Sequence, residues 1–432
     1  MRSWPEAPEK PIVVPRAQHG ISRSQIDPDA LKVLYRLHHS KQLAYLVGGS
    51  VRDLLLGKTP KDFDIGTDAH PKQVRRLFRN SRIIGRRFKL VHVYFPSGKI
   101  IEVATFRSVP DVSEAEESAP SERFNTFGTP AEDARRRDIT INGLFYDIGT
   151  FSVIDYVGGL RDLRDGIVRT IKDPAESFVE DPVRIIRVMR HAARTGFEVE
   201  TQTWKELMNR QRTVMACAID RIREEFLRDL VSTKLAAVLE LFHASGFLYS
   251  LFPEFEIPGA GRLPHRIDFL HHLLEAASVI DQRVAASREP PSAPMLLGIF
   301  LMPYFTTHAW RALPEKGQEL TAFLRGRFAH VLDPVLRRLS FAQLTRSCVH
   351  WEIMRCEQIR QAIYRHGCIP RALQEAEHFA EGFELYRADL ERRGVPMEEA
   401  DVLAPGRAPA RRRRRRRPRR RHHVEPPAPH VA

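Results

Sequence analysis

Cysteine is scarce. Four residues in 432, Cys217, Cys348, Cys356 and Cys368, stand far apart with no CxxC pair. That spacing argues against a disulfide framework or a thiolate zinc site and fits a reducing, cytoplasmic setting. No run of about 18 apolar residues occurs, so neither a membrane-spanning helix nor a membrane partner is expected. The opening stretch MRSWPEAPEKPIVVPRAQ lacks an apolar segment of the kind that directs secretion. The sequence shows no exact internal repeat.

Apolar residues make up 43% of the chain and charged residues 28%, which excludes a largely disordered protein. The length allows two to four domains at roughly 100–200 residues each. The net charge is +14, but ten Arg against one Glu from Arg411 to Ala432 supply +9 and leave +5 on residues 1–410. A tail of that kind attracts polyanions such as RNA, DNA or an acidic membrane surface.

Periodicity divides the chain. Residues 1–25, rich in Pro and polar groups, read as a flexible arm. A head over 26–172 begins with a helix from Pro28 to about Lys41, capped by Asp27. Strands are predicted at Ala44–Val47, Phe63–Thr67, Ile83–Phe95 and Ile100–Thr105, and helices at Val51–Leu56 and Pro71–Arg79. Residues 108–130, acidic and broken by Pro and Ser, read as a mobile loop within this head. Beyond Ser177 the period is helical: a neck over 173–235 for nucleotide and RNA binding, and a body and tail over 236–403. Residues 404–432 read as a disordered Arg-rich extension. The fold class is therefore α+β, an α/β head followed by an all-α remainder.

Chemistry concentrates in LVGGSVRDLLLGKTPKDFDIGT, residues 46–67. Asp62 and Asp64 lie two apart on a predicted strand, so alternation places both carboxylates on one face and Phe63 on the other. Two close carboxylates repel unless a cation binds between them, which suits Mg²⁺. The turn at Gly48 and Gly49 opens a helix whose N–H groups, with Arg52, can hold a triphosphate. These parts describe metal-assisted nucleotidyl transfer, in which one metal activates a hydroxyl and a second neutralises the leaving pyrophosphate. Against them stands an ordinary surface turn, the usual fate of a lone DxD. Glu102, in IIEVATFR, either joins those carboxylates from a neighbouring strand or pairs with Arg107 or another cation. Arg136, Arg137, Asp138 and Asn142 offer phosphate and ribose partners, or else a solvated helix start. Asp181, Arg184 and Arg187 fall at helical spacing; Asp181 and Arg184 could read a base edge without a template, or form an i,i+3 surface pair.

Together these motifs resemble the class II nucleotidyltransferase superfamily, which contains tRNA CCA-adding enzymes and bacterial poly(A) polymerases. LVGGSVRDLLLG, KDFDIGT, IIEVATFR, RRRDITINGLFYD, IDYVGGLRDLRDGIVRTI and EDPVRIIRVMR follow in family order over roughly residues 43–197. The resemblance implies a nucleotidyltransferase head with Asp62 and Asp64 as ligands of two Mg²⁺ ions and Asp138 as a further active-site carboxylate. It implies Asp181 with Arg184 as base-selecting residues. Gly49, Arg52, Arg137, Arg187 and Arg190 match positions associated with the incoming nucleotide. The poly(A) polymerase branch is the nearer: RIIGRRFKLVHVYF, with Arg86, Arg87 and Lys89, looks like the element that separates it from CCA-adding enzymes. The form EDPVR and the basic C-terminal extension point the same way.

The expected activity is template-independent addition of AMP from ATP to RNA 3′ ends, promoting RNA decay. The alternatives are a CCA-adding tRNA nucleotidyltransferase and a catalytically idle RNA-binding protein. RNA 3′ ends and ATP are the expected partners, with RNA-decay proteins a further class, and a monomer is favoured. Arg86, Arg87 and Lys89 should meet RNA, as should the tail residues Arg411, Arg412, Arg413, Arg414, Arg415, Arg416, Arg417, Arg419, Arg420 and Arg421. His265, His271 and His272 read as ordinary histidines, not a phosphohydrolase metal site, and His422 and His423 as passive. Phe252, Phe255, Phe300 and Phe305 read as core.

Overall fold

A computed structural model describes residues 4, 8, 10–85, 89–108, 127–256, 263–309 and 317–395, with backbone alone at 263–268, 308–309 and 317–319. Arg86, Arg87, most of the 108–130 segment, the His265 side chain, His422, His423 and the run Arg411 to Arg421 lie outside the described residues. What is described falls into two compact units, one up to His350 and one from Trp351.

The first unit begins with β1 (Ile12–Val14), α1 (Pro28–His39), β2 (Ala44–Val47), α2 (Gly49–Leu55), β3 (Asp64–Thr67), α3 (Pro71–Leu77), β4 (Ser81–Ile84), β5 (Leu90–Tyr94) and β6 (Ile100–Thr105). There follow α4 (Pro130–Arg136), β7 (Leu144–Asp147), β8 (Ser152–Asp155), α5 (Gly159–Asp165) and β9 (Ile167–Val168). One mixed sheet takes the order β1-β8-β7-β2-β3-β6-β5-β4. Its β3 and β6 run parallel, with Ile65 opposite Val103, and its other described pairings are antiparallel.

The elements start where the sequence can satisfy free backbone donors. The Asp27 carboxylate accepts from Asp29 N–H at 2.8 Å, with Pro28 opening α1. Thr129 and Glu132 form a reciprocal cap on α4. All four residues of β2 are buried, as befits a strand covered on both faces. Leu46, with Ile65 and Val103, packs against Val33, Leu34 and Leu37 of α1 and Val74 of α3. Tyr45 and Val47 face the other way, toward Phe106 and Phe145. Gly66 lies on this second face, where a Cβ would come within 2.5 Å of Phe106 Cε1.

Several expectations change. Residues 10–25 are not a loose arm: β1 pairs with β8, and Ile21 is fully buried in the head core. Asp62 and Phe63 precede β3 instead of lying in it, and α2 starts at Gly49, two residues earlier than expected. The single strand expected over 83–95 is two, β4 and β5.

Helices follow: α6 (Pro174–Glu180), α7 (Arg184–Thr195), a short β10 (Glu198–Val199) paired with β9, α8 (Thr201–Arg210), α9 (Ile219–Leu230), α10 (Leu235–Ala244) and α11 (Phe247–Leu251). Then come α12 (Leu263–Ala286), α13 (Ala293–Ala309), α14 (Gly317–Arg327) and α15 (Asp333–Arg338). Phe226, Phe252, Phe255 and Phe300 stack into their core, and Phe305 is buried too. Helix α16 (Gln343–His366) leads into the second unit, which holds α17 (Arg371–Gln374) and α18 (Phe379–Arg392). There a half-buried Arg360 pairs with the buried Glu357 and Asp389. Among the described residues no helix is long and apolar enough to cross a membrane.

Candidate active site

The turn after β2 sets one wall of a cleft of about 690 Å³. Gly48 caps α2 with φ +72°, in the region that favours glycine, and a Cβ there would stand 2.9 Å from Arg137 Nη1. Arg52, only 2% exposed, donates from Nε to Asp53 at 2.8 Å and from Nη1 to Asn142 Oδ1 at 2.6 Å. Its guanidinium is thereby fixed in the floor.

Asp62 and Asp64 both line the cleft. Asp64 shares the Gly66 face of β3, because it pairs with Val47. Asp64 is open to solvent at the cleft mouth, yet the protein close around its carboxyl raises it to about 6, first by desolvation, then by Glu102 and Asp62, with Arg137 opposing. This is an uncompensated set of hard oxygen donors, and a divalent cation would relieve it; two carboxylates plus substrate phosphate oxygens suit Mg²⁺. No cluster of three or more metal-ligating side chains occurs among the described residues, so a bound ion would draw its remaining ligands from substrate and water. Glu102 sits beside Asp64 on the same face through the β3–β6 register. It does not line the cleft, and its carboxylate pairs at 3.1 Å with His92, not Arg107.

The opposite wall comes from the segment after α4 and from α7. Arg137 donates to Asp133 at 3.0 Å and lies over the Phe145 ring. Desolvation would raise the Asp138 carboxyl, but His191, Arg187 and the Ile139 N–H hold it below the ordinary range. Asn142 ends a single 3-10 turn and meets His191 Nε2 at 3.1 Å. Burial, with Arg52, Arg190 and Arg194 nearby, pushes His191 down to about 3, so it is neutral at pH 7 despite Asp138.

Asp181 is not on the helix of Arg184. It caps the end of α6 in an extended conformation, φ −149° and ψ 93°, and α7 begins only at Arg184. Their side chains do not pair; the Arg184 N–H donates to the Asp181 carbonyl at 3.0 Å. Both Asp181 oxygens accept from Arg221 of α9, at 3.0 and 2.8 Å, while Arg184 donates to Ser177 Oγ and Glu180. All of these except Ser177 and Glu180 face the cleft. Arg187 reaches Glu225 at 2.9 Å. Arg190 does not line this cleft: it is buried between Glu225 and Asp229. Lys89 is exposed, and its carbonyl accepts from Arg107. The histidines His271 and His272 pair with Glu275.

Sequence reasoning missed Arg221, Glu225, Lys61, Arg194 and His191. Of these, His191 and Arg194 left a local signal, since Arg184, Arg187, His191 and Arg194 fall on one stripe of α7. A second cleft of about 1030 Å³ adjoins the first, sharing Arg52, Asp62, Asp138, Arg187 and His191, and adds Lys58, Arg228, Lys234 and Arg288.

Residues 44–169 match the family described as "Poly A polymerase head domain", and residues 196–257 the family described as "Probable RNA and SrmB- binding site of polymerase A". Poly(A) polymerase I of Escherichia coli O6:H1 is 52% identical over 198 residues, covering 44% of this chain and 42% of that protein. A CCA-adding enzyme of Leuconostoc mesenteroides is 34% identical over 213 residues, covering 49% and 52%. The chain thus spans about half the length of the curated relatives it matches. In fold it resembles the Bacillus stearothermophilus CCA-adding enzyme solved with CTP, at TM-score 0.59 and 23% identity over 88% of this chain and 82% of that one.

Proposed function

We propose, for a chain that carries a poly A polymerase head domain and the RNA-binding segment that follows it, that it is a template-independent poly(A) polymerase adding AMP from ATP to RNA 3′ ends in the cytoplasm. The observation that carries nucleotidyl transfer is one cleft with Asp62 and Asp64 on one wall and Arg136, Arg137, Arg184 and Arg187 on the other. Such a cleft matches a polyphosphate in charge and leaves the two acids to hold a cation against it. The preference for poly(A) rests on the 52% identity to a poly(A) polymerase against 34% to a CCA-adding enzyme.

In this reading the Gly48–Gly49 backbone, Arg52 and Arg137 seat the triphosphate, and Asp138 and Asn142 face the ribose. Asp181, held by Arg221, and Arg184 present acceptor and donors to the adenine edge. Asp62 and Asp64 hold Mg²⁺, which when bound supplies charge neutralisation and a more acidic attacking hydroxyl. The RNA 3′-oxygen attacks the α-phosphorus in line. A new O–P bond forms, the α–β bridge breaks, pyrophosphate leaves, and the hydroxyl proton passes to water. The Arg411 to Arg421 run would tether RNA outside this chemistry. A role in RNA decay, with decay proteins as partners, belongs to the same reading.

The second reading is a CCA-adding enzyme, supported by the 34% identity to such an enzyme over 213 residues and by the fold likeness. The test gives ATP and CTP separately to a transfer RNA lacking its terminal CCA, and ATP to an unrelated RNA. Long A tracts on the unrelated RNA are expected. Two C residues followed by one A, confined to the transfer RNA, would overturn the proposal.

A further inference from the structure

Between Asp68 and Glu102 the chain carries nine Lys or Arg residues and no carboxylate. The structure folds this stretch into α3, β4 and β5, at one edge of the sheet. Beside it, α1 turns Lys32, Arg36 and His39 to solvent, away from the core that Val33, Leu34 and Leu37 enter, while Tyr35 packs at the margin of that core. The result is a separate cleft of about 690 Å³, lined by these α1 residues and by Phe78, Arg79 and Phe95. It shares no lining residue with the cleft of Asp62 and Asp64. It also lies on the other side of the sheet, since α1 and α3 cover the Leu46 and Ile65 face while Asp64 is on the Gly66 face.

We propose that this cleft is a second binding site for single-stranded RNA, taking the part of the substrate upstream of the reacting 3′ end; the proposal rests on the polymerase reading above. Two kinds of group coincide there. Tyr35 and Phe95 are half-buried rings that pack on the head core and also line the cleft; exposed side chains lie on them there, His39 stacking on Tyr35 and Lys32 over Phe95 at 5.7 Å, which a base would displace. Such rings accept any base by stacking. Around them stand cations that the fold does not neutralise. The nearby acids are already taken, Asp29 by Lys32 at 2.7 Å and Asp27 by Lys99. Arg36 instead lies over the Phe78 ring at 5.3 Å, and neither it nor Arg79 has a carboxylate partner among the described residues. Both are exposed. Cations left without acids beside stackable rings fit a flexible polyanion that carries bases. A protein partner would have to be acidic and would leave the rings' tolerance for planar groups unused.

The test measures binding of labelled oligo(A) of about 20 nucleotides to the full chain by fluorescence anisotropy across a salt series. Arg36→Glu with Arg79→Glu should bind about tenfold more weakly at low salt, and its slope of log affinity against log salt should be shallower by roughly 1.4, for two phosphates. The neutral pair Arg36→Gln with Arg79→Gln should fall between, and melting curves confirm that all variants are folded. Tyr35→Ala should weaken binding several-fold with the slope unchanged. An oligo(A) of about four nucleotides should bind every variant like wild type, being too short to reach round the sheet. Turnover at saturating RNA should not change. If wild type neither binds nor extends oligo(A), the polymerase reading fails. If wild type does both and the reversed pair keeps its affinity and slope, the second site fails. Displacement of the long RNA from this site by free AMP alone, mapped by crosslinking at Tyr35, would also overturn it in favour of a mononucleotide site.

Discussion

Arg52 donates to Asn142 across ninety residues of sequence, at 2.6 Å and out of reach of solvent. The bond ties the turn that would seat the triphosphate to the segment that carries Asp138. Replacing Asn142 by Ala removes the short acceptor of a buried guanidinium Nη1 and leaves it only the longer contact to His191 Nδ1 at 3.4 Å, a loss of about 1–3 kcal/mol of stability. Thermal melts should show that loss. Initial rates should show a higher KM for ATP with kcat less affected, because the arginine is displaced, not removed.

Asp62→Ala and Asp64→Ala should each leave a folded protein whose RNA extension falls by roughly three powers of ten or more. The two acids face one cleft, and losing half the pair removes the cation's protein anchor. Near wild-type extension in Mg²⁺ by either variant, with melting unchanged, would show that the carboxylates are not the metal site.

Arg221→Ala should loosen nucleotide choice. Arg221 donates to both Asp181 oxygens, so its loss leaves the carboxylate held only by the Val183 N–H on Oδ1, at 3.3 Å, and freer to turn. The ratio of kcat/KM for ATP over CTP should fall about tenfold to a hundredfold, with RNA affinity unchanged. An unchanged ratio would assign base selection elsewhere.

That arginine marks the limit of what the sequence discloses. The Gly48–Gly49 turn, the acids at 62 and 64 and the helical remainder are legible because each depends on neighbours within a few residues. The spacing of Asp181 and Arg184 misleads, because Pro182 forces Asp181 into an extended conformation and so parts it from α7. That signal was present in the dipeptide. Arg221 and Glu225 reach the site from a helix some forty residues further along, and nothing local announces them. Glu102 shows the converse: its neighbouring strand is as expected, but His92, from the adjacent β5, takes its carboxylate.

In the second unit, Glu352 is buried with no hydrogen-bond partner for Oε2, and burial, with Glu381 nearby, raises its carboxyl from 4.5 to about 8. The folded state therefore holds the proton more tightly than the unfolded chain. The stability from this group is full below about pH 4.5, declines as pH rises toward 8 and is level above that. Each pH unit of that interval is worth about 1.4 kcal/mol. Glu352→Gln should be nearly neutral at pH 5 and stabilising at pH 9 in chemical denaturation. Equal effects at the two pH values would show that the carboxyl is ionised in the folded protein.

Removing residues 404–432 should flatten the salt dependence of RNA binding and leave turnover at saturating RNA intact. If the arginine run engages about five phosphates, it contributes roughly −3.5 to the slope for a single strand. Identical slopes with and without the segment would exclude it as a tether.

The parallel pairing of β3 with β6 has a consequence for how this head can diverge. Asp64 and Glu102 are neighbours because Ile65 stands opposite Val103, and a slip of one residue would turn Asp64 into the apolar layer beneath α1. The register is thus strongly constrained at the ladder itself. The chain between the two strands carries α3 and the β4–β5 hairpin outward to the sheet edge, and that hairpin can lengthen or shorten at its tip without disturbing the ladder. Variation at the edge is therefore uncoupled from the placement of the acids, so the surface there can change while Asp64 and Glu102 keep their register.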